Sequence, residues 1–172
     1  MSFITTGVEY GLHCLIYLVG APHGAREASV RDLAELQGVP ADFLAKVFTK
    51  LRRAGLVHAS EGIRGGFSLA RPASSISVLD VVEAIDGKRS LFECNEIRAN
   101  CALFQGRAAP RWATTGTCSI HAVMLEAQKH MRRSLAEHSL AELADAIGSK
   151  ARHDYGDEVR AWLGNRAEQK VR

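Results

Sequence analysis

Three cysteines at an irregular spacing, Cys94-x6-Cys101-x16-Cys118, lie in one stretch of this 172-residue chain, and His121 follows the last after two residues. Thiolate and imidazole are soft to borderline metal ligands, and an activated thiol is also a nucleophile or redox sensor. The spacing is not the paired CxxC of a zinc ribbon. Alone it supports a metal only weakly and leaves three ordinary reduced thiols open. A second set lies near the N-terminus, where Glu9 and His13 stand four apart in the otherwise apolar run TTGVEYGLHCLIYLVG. On a helix these two share one face, a turn apart. The plain reading is an edge-of-core pair, the imidazole satisfied by hydrogen bonds and the carboxylate snorkelling to water. The chemical reading is two ligands for one metal. The main apolar stripe is expected at Val8, Leu12, Leu15, Ile16 and Val19, with Tyr10, Cys14 and Leu18 opposite. Such a helix is covered on both sides. Cys14 points away from His13 and reads as a buried thiol.

The elements around these residues are well signalled. Ser29 is a good N-cap with Asp32 three residues on, and Val30, Leu33, Ala34 and Leu36 make a short helix ending at Gly38. Val39-Pro40 turns the chain into a second helix, about 41–54, with Leu44, Val47, Phe48 and Leu51 inward and Gly55 at its end. Two short strands follow, LVHAS and FSLAR, separated by EGIRGG. Helix, tight turn, helix and hairpin is the winged helix-turn-helix arrangement. Between Lys46 and Arg71 there are six basic residues and one acid, Glu61. Opposite the core side of the second helix lie Asp42, Ala45, Lys46, Thr49 and Arg53, small or polar residues suited to base edges. Lys50 and Arg52 flank them, placed for phosphates, and Arg64 beside Gly65-Gly66 is placed for a minor groove. A charge run is usually a solvated face. Here charge and fold element coincide, which favours double-stranded DNA as the partner.

Further on, SISVLDVVEAIDG reads as a helix capped by Ser77 and ended by Gly87. From 88 to 117 periodicity fades, and long irregular stretches of this kind are usually functional or disordered. From Ser119 the helical pattern returns, and Ile120, Met124, Ala127 and Met131 form a coiled-coil-like seam for a partner helix. SLAELADAIG supplies a short last helix, and the polar tail from Ser149 carries little signal apart from Trp162. The organisation is mainly α with a β-hairpin wing. It comprises 1–72 (winged helix-turn-helix), 73–87 (connecting helix), 88–118 (cysteine loop), 119–148 (dimerisation helix and short last helix) and 149–172 (tail).

A hydrophobic content of 47% and a charged content of 24% are those of a globular protein, and the net charge of +3 is too small to diagnose a partner. The N-terminus lacks a basic n-region, and nothing approaches the ~20 apolar residues of a membrane span. A cytoplasmic address is expected, where thiols stay reduced. A Cys118–His121 enzyme is disfavoured, because nothing supplies an oxyanion hole or a substrate cleft.

Taken together, LAELQGV, FLAKVFTKLRRAGLV, EGIRGGFSLARP and ISVLDVVEAIDG resemble the iron–sulfur-sensing winged-helix transcription regulators, the group containing IscR, NsrR and RsrR. The likeness runs from about residue 3 to 147, and GVEYGLHC and FECNEIR are most similar to the RsrR type. It implies a homodimer with a two-iron, two-sulfur cluster held at its interface by Glu9, His13, Cys94 and Cys118, the two pairs coming from different subunits. It also leaves a rival set, Cys94, Cys101 and Cys118 with Glu9 or His121, suited to a four-iron cluster. His121 matches the position of the histidine ligand in IscR. The expected function is therefore a redox- or stress-responsive regulator whose operator affinity is set by the cluster. The alternative is a metal-free winged-helix regulator that senses a small molecule or thiol oxidation.

Overall fold

The computed structural model describes residues 3–19, 28–62 and 65–169. In chain order the elements are α1 (Thr6–Ile16), α2 (Val30–Gln37), α3 (Ala41–Arg53), β1 (Val57–Ala59), β2 (Phe67–Leu69), α4 (Val78–Asp86), α5 (Arg111–Thr114), α6 (Ser119–Glu137), α7 (Leu140–Gly148) and α8 (Tyr155–Gln169). They divide into two compact units, Met1–Lys88 with Leu135–Arg172, and Arg89–Ser134.

In the first unit, local chemistry sets each helix end. The Ser29 hydroxyl oxygen accepts the Asp32 N–H at 3.2 Å, leaving α2 to begin at Val30. Ser77 and Asp80 form a full capping box on α4, and Ser139 and Glu142 form another on α7. These two helix starts lie side by side. The Val78 N–H donates to the His138 carbonyl at 2.8 Å, and the Leu140 N–H to the Ile76 carbonyl at 2.9 Å. Strands β1 and β2 are antiparallel, with Val57 opposite Leu69 and Ala59 opposite Phe67, and Ala28 adds a bridge to Phe67. The core joins Leu15, Leu33, Leu44, Phe48, Leu51, Ile76, Val81 and Leu140, all fully buried. Phe48 meets Phe67 edge-on at 5.0 Å and so seats the hairpin on α3.

The packing of α1 corrects the expected stripe. Its buried face is Gly7, Val8, Gly11, Cys14 and Leu15, with Leu18 just beyond, while Leu12, Ile16 and Val19 are half-buried. The two glycines explain the shift. A Cβ on Gly11 would come within 2.6 Å of Ile85 Cδ1 and 3.3 Å of Val47 Cγ1, so α1 lies closer to α3 and α4 there than a side chain permits. Helix α8 is the other departure, because the tail is ordered as a helix. Leu163 packs against the core, and Arg166 pairs with Glu35 of α2 while lying over the Trp162 ring.

The second unit is built differently. Two short 3-10 turns, Ile97–Asn100 and Ala102–Phe104, and the single turn of α5 precede α6. Ala113 is its one buried residue.

Candidate nucleic-acid interface and sensor residues

Helix α3 has two chemically opposite sides. Leu44, Val47, Phe48 and Leu51 face the core, and Asp42, Ala45, Lys46, Thr49, Arg52 and Arg53 are exposed. The sequence reading of a small, polar and basic outer face therefore stands on the described geometry. Thr49 turns its hydroxyl back to the Ala45 carbonyl at 2.8 Å, and the expected contact residue Lys50 donates to the Ile85 carbonyl at 2.6 Å. The Lys50 ammonium thus sits at the C-terminus of α4, where helix carbonyls attract cations. Arg64 lies outside the described residues. At the base of the wing, the Ser60 N–H donates to the Gly66 carbonyl at 3.0 Å and the Gly66 N–H to Ser60 Oγ at 3.2 Å. A Cβ at Gly65 would stand 2.5 Å from the Ser60 carbonyl, so this crossing needs glycine.

Glu9 and His13 are both exposed on α1. Neither has a hydrogen-bond or ion-pair partner among the described residues. That removes the reading in which the imidazole is a satisfied core residue. Both side chains line an apolar groove of about 730 Å³, with Val8, Leu12, Ile16 and Val82 among its walls. Cys14, the residue after His13 and turned inward, has no exposure, and burial pushes its thiol up from 9.0 to about 12. It is a packing residue, as expected.

In the second unit Cys94 and Cys118 are half-buried and Cys101 is exposed. Several contacts that the sequence did not reveal shape this loop. The Leu91 N–H donates to Gln128 Oε1 at 2.6 Å, and the Phe92 ring stands 5.9 Å from that of His121. Arg98 donates through Nη2 to the Gly116 carbonyl at 2.8 Å and pairs with the Glu96 carboxylate through Nε. Its hydrogen bond with Glu96 is the main reason its own pKa rises, with smaller contributions from the Glu96, Cys118 and Cys94 charges. The same bond holds the Glu96 carboxyl below its usual value. Among described non-glycine residues, Glu96 alone takes a left-handed backbone, with φ of 49°. The one sequence hint of this arrangement was a cation, Arg98, midway between Cys94 and Cys101.

No group of three or more ligand-type side chains is gathered in one place among the described residues. Each unit instead offers a half-set: carboxylate and imidazole on α1, and two thiols flanking Arg98.

The family model of iron-dependent transcriptional regulators named Rrf2 matches residues 4–146. The chain belongs to the Rrf2 family. Protein rrf2 of Nitratidesulfovibrio vulgaris is 34% identical over 141 residues, spanning 81% of this chain and 85% of that one. Among solved structures, CymR, the global cysteine regulator of B. subtilis, superposes with a TM-score of 0.65 at 23% identity, covering 85% of this chain and 98% of its own. IscR of T. potens superposes with a TM-score of 0.63, also at 23% identity, covering 88% and 92%. This Rrf2 protein is accordingly a DNA-binding transcriptional regulator with a winged-helix fold, of a family of regulators and not enzymes. No described helix is long and apolar enough to cross a membrane.

Proposed function

We propose that this Rrf2 regulator binds a pseudo-palindromic operator as a homodimer, and that a two-iron, two-sulfur cluster of the RsrR type sets its affinity. The observation that carries the reading is the exposed Glu9–His13 pair, unpartnered among the described residues on a helix whose other side is core. An unpaired carboxylate and imidazole one turn apart beside an apolar groove fit two ligand positions of one iron. The two half-sets fit a group shared between subunits, with Glu9 and His13 of one copy and Cys94 and Cys118 of the other. When bound, such a cluster supplies a one-electron couple whose potential imidazole ligation raises. The rest is the work of this chain. Helix α1 packs directly on α3, so displacing Glu9 and His13 shifts the helix that carries Lys46 and Arg53. Dimerisation is supported by α6, which buries none of its residues and exposes Ile120 at 64% and Val123 at 67%. These lie beside or on the seam of Ile120, Met124, Ala127 and Met131.

The test is the absorption spectrum of anaerobically purified protein. Glu9→Ala, His13→Ala, Cys94→Ala and Cys118→Ala should each lose or alter it, and Cys101→Ala and His121→Ala should leave it nearly intact. If Cys101 is essential and His13 dispensable, the three-cysteine, four-iron set is the right one. Operator affinity should then differ by roughly 5–150-fold between oxidised, reduced and cluster-free protein, the usual range of allosteric coupling. Equal affinities would remove the sensor role.

A second reading is metal-free sensing by thiol oxidation. It is favoured by three free thiols in one loop, Cys101 exposed and Cys94 and Cys118 half-buried. A colourless anaerobic preparation whose DNA binding responds to a mild oxidant would establish it.

A further inference from the structure

Cys94 and Cys118 are distant in sequence, and the elements between them are short turns that bury almost nothing. Two cross-loop contacts nevertheless bracket them. On one side Phe92, two residues before Cys94, meets His121, three residues after Cys118. On the other side Arg98, four residues after Cys94, donates to the carbonyl of Gly116, two residues before Cys118, and at 3.4 Å to that of Thr114. The two segments thus run past one another in opposite directions, tied at both ends, with one thiol on each between the ties. Arg98 reaches across because its guanidinium is held by Glu96, two residues back, whose left-handed backbone turns the chain at that point. A non-glycine residue in this conformation is costly, and it persists where surrounding contacts over-determine it. Arg98 is only 21% exposed at its side chain, well below the 57% of Glu96. Cys101 lies beyond the second tie and is exposed.

We propose that Glu96 and Arg98 form a clasp that presents Cys94 and Cys118 as a preformed thiol pair within one chain, leaving Cys101 outside it. Arg98 acts here as a positioning residue through the backbone of Thr114 and Gly116. The proposal names the device behind the thiol half-set of the preceding reading, yet it stands without any metal. A preassembled pair has its ordering cost already met by the clasp, so a metal or an oxidant meets two thiols at once.

The experiment uses metal-free, reduced, full-length protein and a short bis-alkylating thiol reagent, with the linked peptides identified by mass spectrometry. The parent chain should give Cys94–Cys118 as its main intramolecular link. Arg98→Gln should slow that link by about tenfold, as expected when an oriented pair becomes a flexible one. Arg98→Lys, which keeps the charge but cannot reach Glu96 and two carbonyls together, should fall between. Single-site alkylation of Cys94 and of Cys118 should change much less than the link, which separates lost positioning from a general change in thiol reactivity. A main link from Cys101 in the parent chain overturns the proposal and needs no variant. So does an unchanged linking rate in Arg98→Gln. Because no iron is present, failure of the cluster reading leaves this result untouched, and a lost clasp leaves the ligand test of Glu9 and His13 standing.

Discussion

The two units of this chain hold their shape by different means. Met1–Lys88 with Leu135–Arg172 is a hydrophobic core closed by caps, in which Phe48, Leu15, Leu44 and Leu140 have no exposure. Arg89–Ser134 has Ala113 as its one buried residue, with Leu103, Trp112 and Ile120 exposed at 74%, 80% and 64%. Fixing one residue's backbone costs roughly 1–2 kcal/mol. The first unit offsets this by burial, and the second has chiefly polar ties such as Arg98–Gly116 and Leu91–Gln128, with the Phe92–His121 ring contact, to set against it. A rigid reader of DNA and a lightly held cysteine loop suit different tasks. On the reading proposed above, the first presents α3 to DNA and the second is the part that responds to what binds it.

The largest expected effect comes from breaking the first unit's core. Phe48→Ala should cost about 3–5 kcal/mol in urea denaturation and abolish operator binding, while Leu103→Ala in the loop should stay within about 0.5 kcal/mol. Comparable losses would mean that the loop is as well packed as the body. Gly11→Val comes next. Its side chain meets Ile85 and Val47, and about 1–3 kcal/mol should be lost to overpacking, read as a lower melting temperature.

On the DNA side, Lys46→Ala and Arg53→Ala should each cost about 1–3 kcal/mol at particular operator positions if they contact bases. If each subunit of a dimer makes about four phosphate contacts, eight in all, the log–log salt slope of the parent protein should be about −7. Lys50 sharpens the contrast within α3. With its ammonium on the Ile85 carbonyl, Lys50→Ala should lower stability by up to about 1 kcal/mol and leave the salt slope unchanged. A slope about one unit shallower would return Lys50 to the phosphate contacts.

The smallest effect concerns Cys14. Burial raises its folded pKa to about 12 from 9.0, so the folded chain keeps a proton that the unfolded chain releases. Its contribution is complete below pH 9 and is lost as pH rises from there toward 12. Between pH 5 and 8 its ionisation should leave stability independent of pH. The fall in urea midpoint between pH 8 and 10 should be smaller in Cys14→Ala than in parent protein.

Much of the architecture was legible because it rests on local signals. Ser29, Ser77 and Gly38 mark helix ends by hydrogen bonds to neighbours a few residues away, and the α3 pattern of Leu44, Val47, Phe48 and Leu51 follows from helical periodicity. The wing, the basic outer face and the inward thiol of Cys14 were readable for the same reason. The exact stripe of α1 was not. Hydrophobicity pointed to Leu12 and Ile16, but close approach at Gly7 and Gly11 decided which side is buried, and a glycine's value as a contact appears only once Ile85 is opposite it. Helix α8 was hidden too, because its anchors are single residues, Leu163 in the core and Arg166 on Glu35, without a periodic apolar face.

By itself, then, the sequence determined the winged helix-turn-helix, the side of α3 that faces outward, and the residue types able to ligate a metal. Each depends on neighbours within a turn or two. Tertiary structure alone decided that Glu9 and His13 face solvent without partners among the described residues, and that Arg98 ties the segment of Cys94 to that of Cys118. Both outcomes depend on groups far apart in the chain. No local pattern encodes such a meeting, because the energy that enforces it comes from burial and hydrogen bonds formed only when the distant segments are already in place.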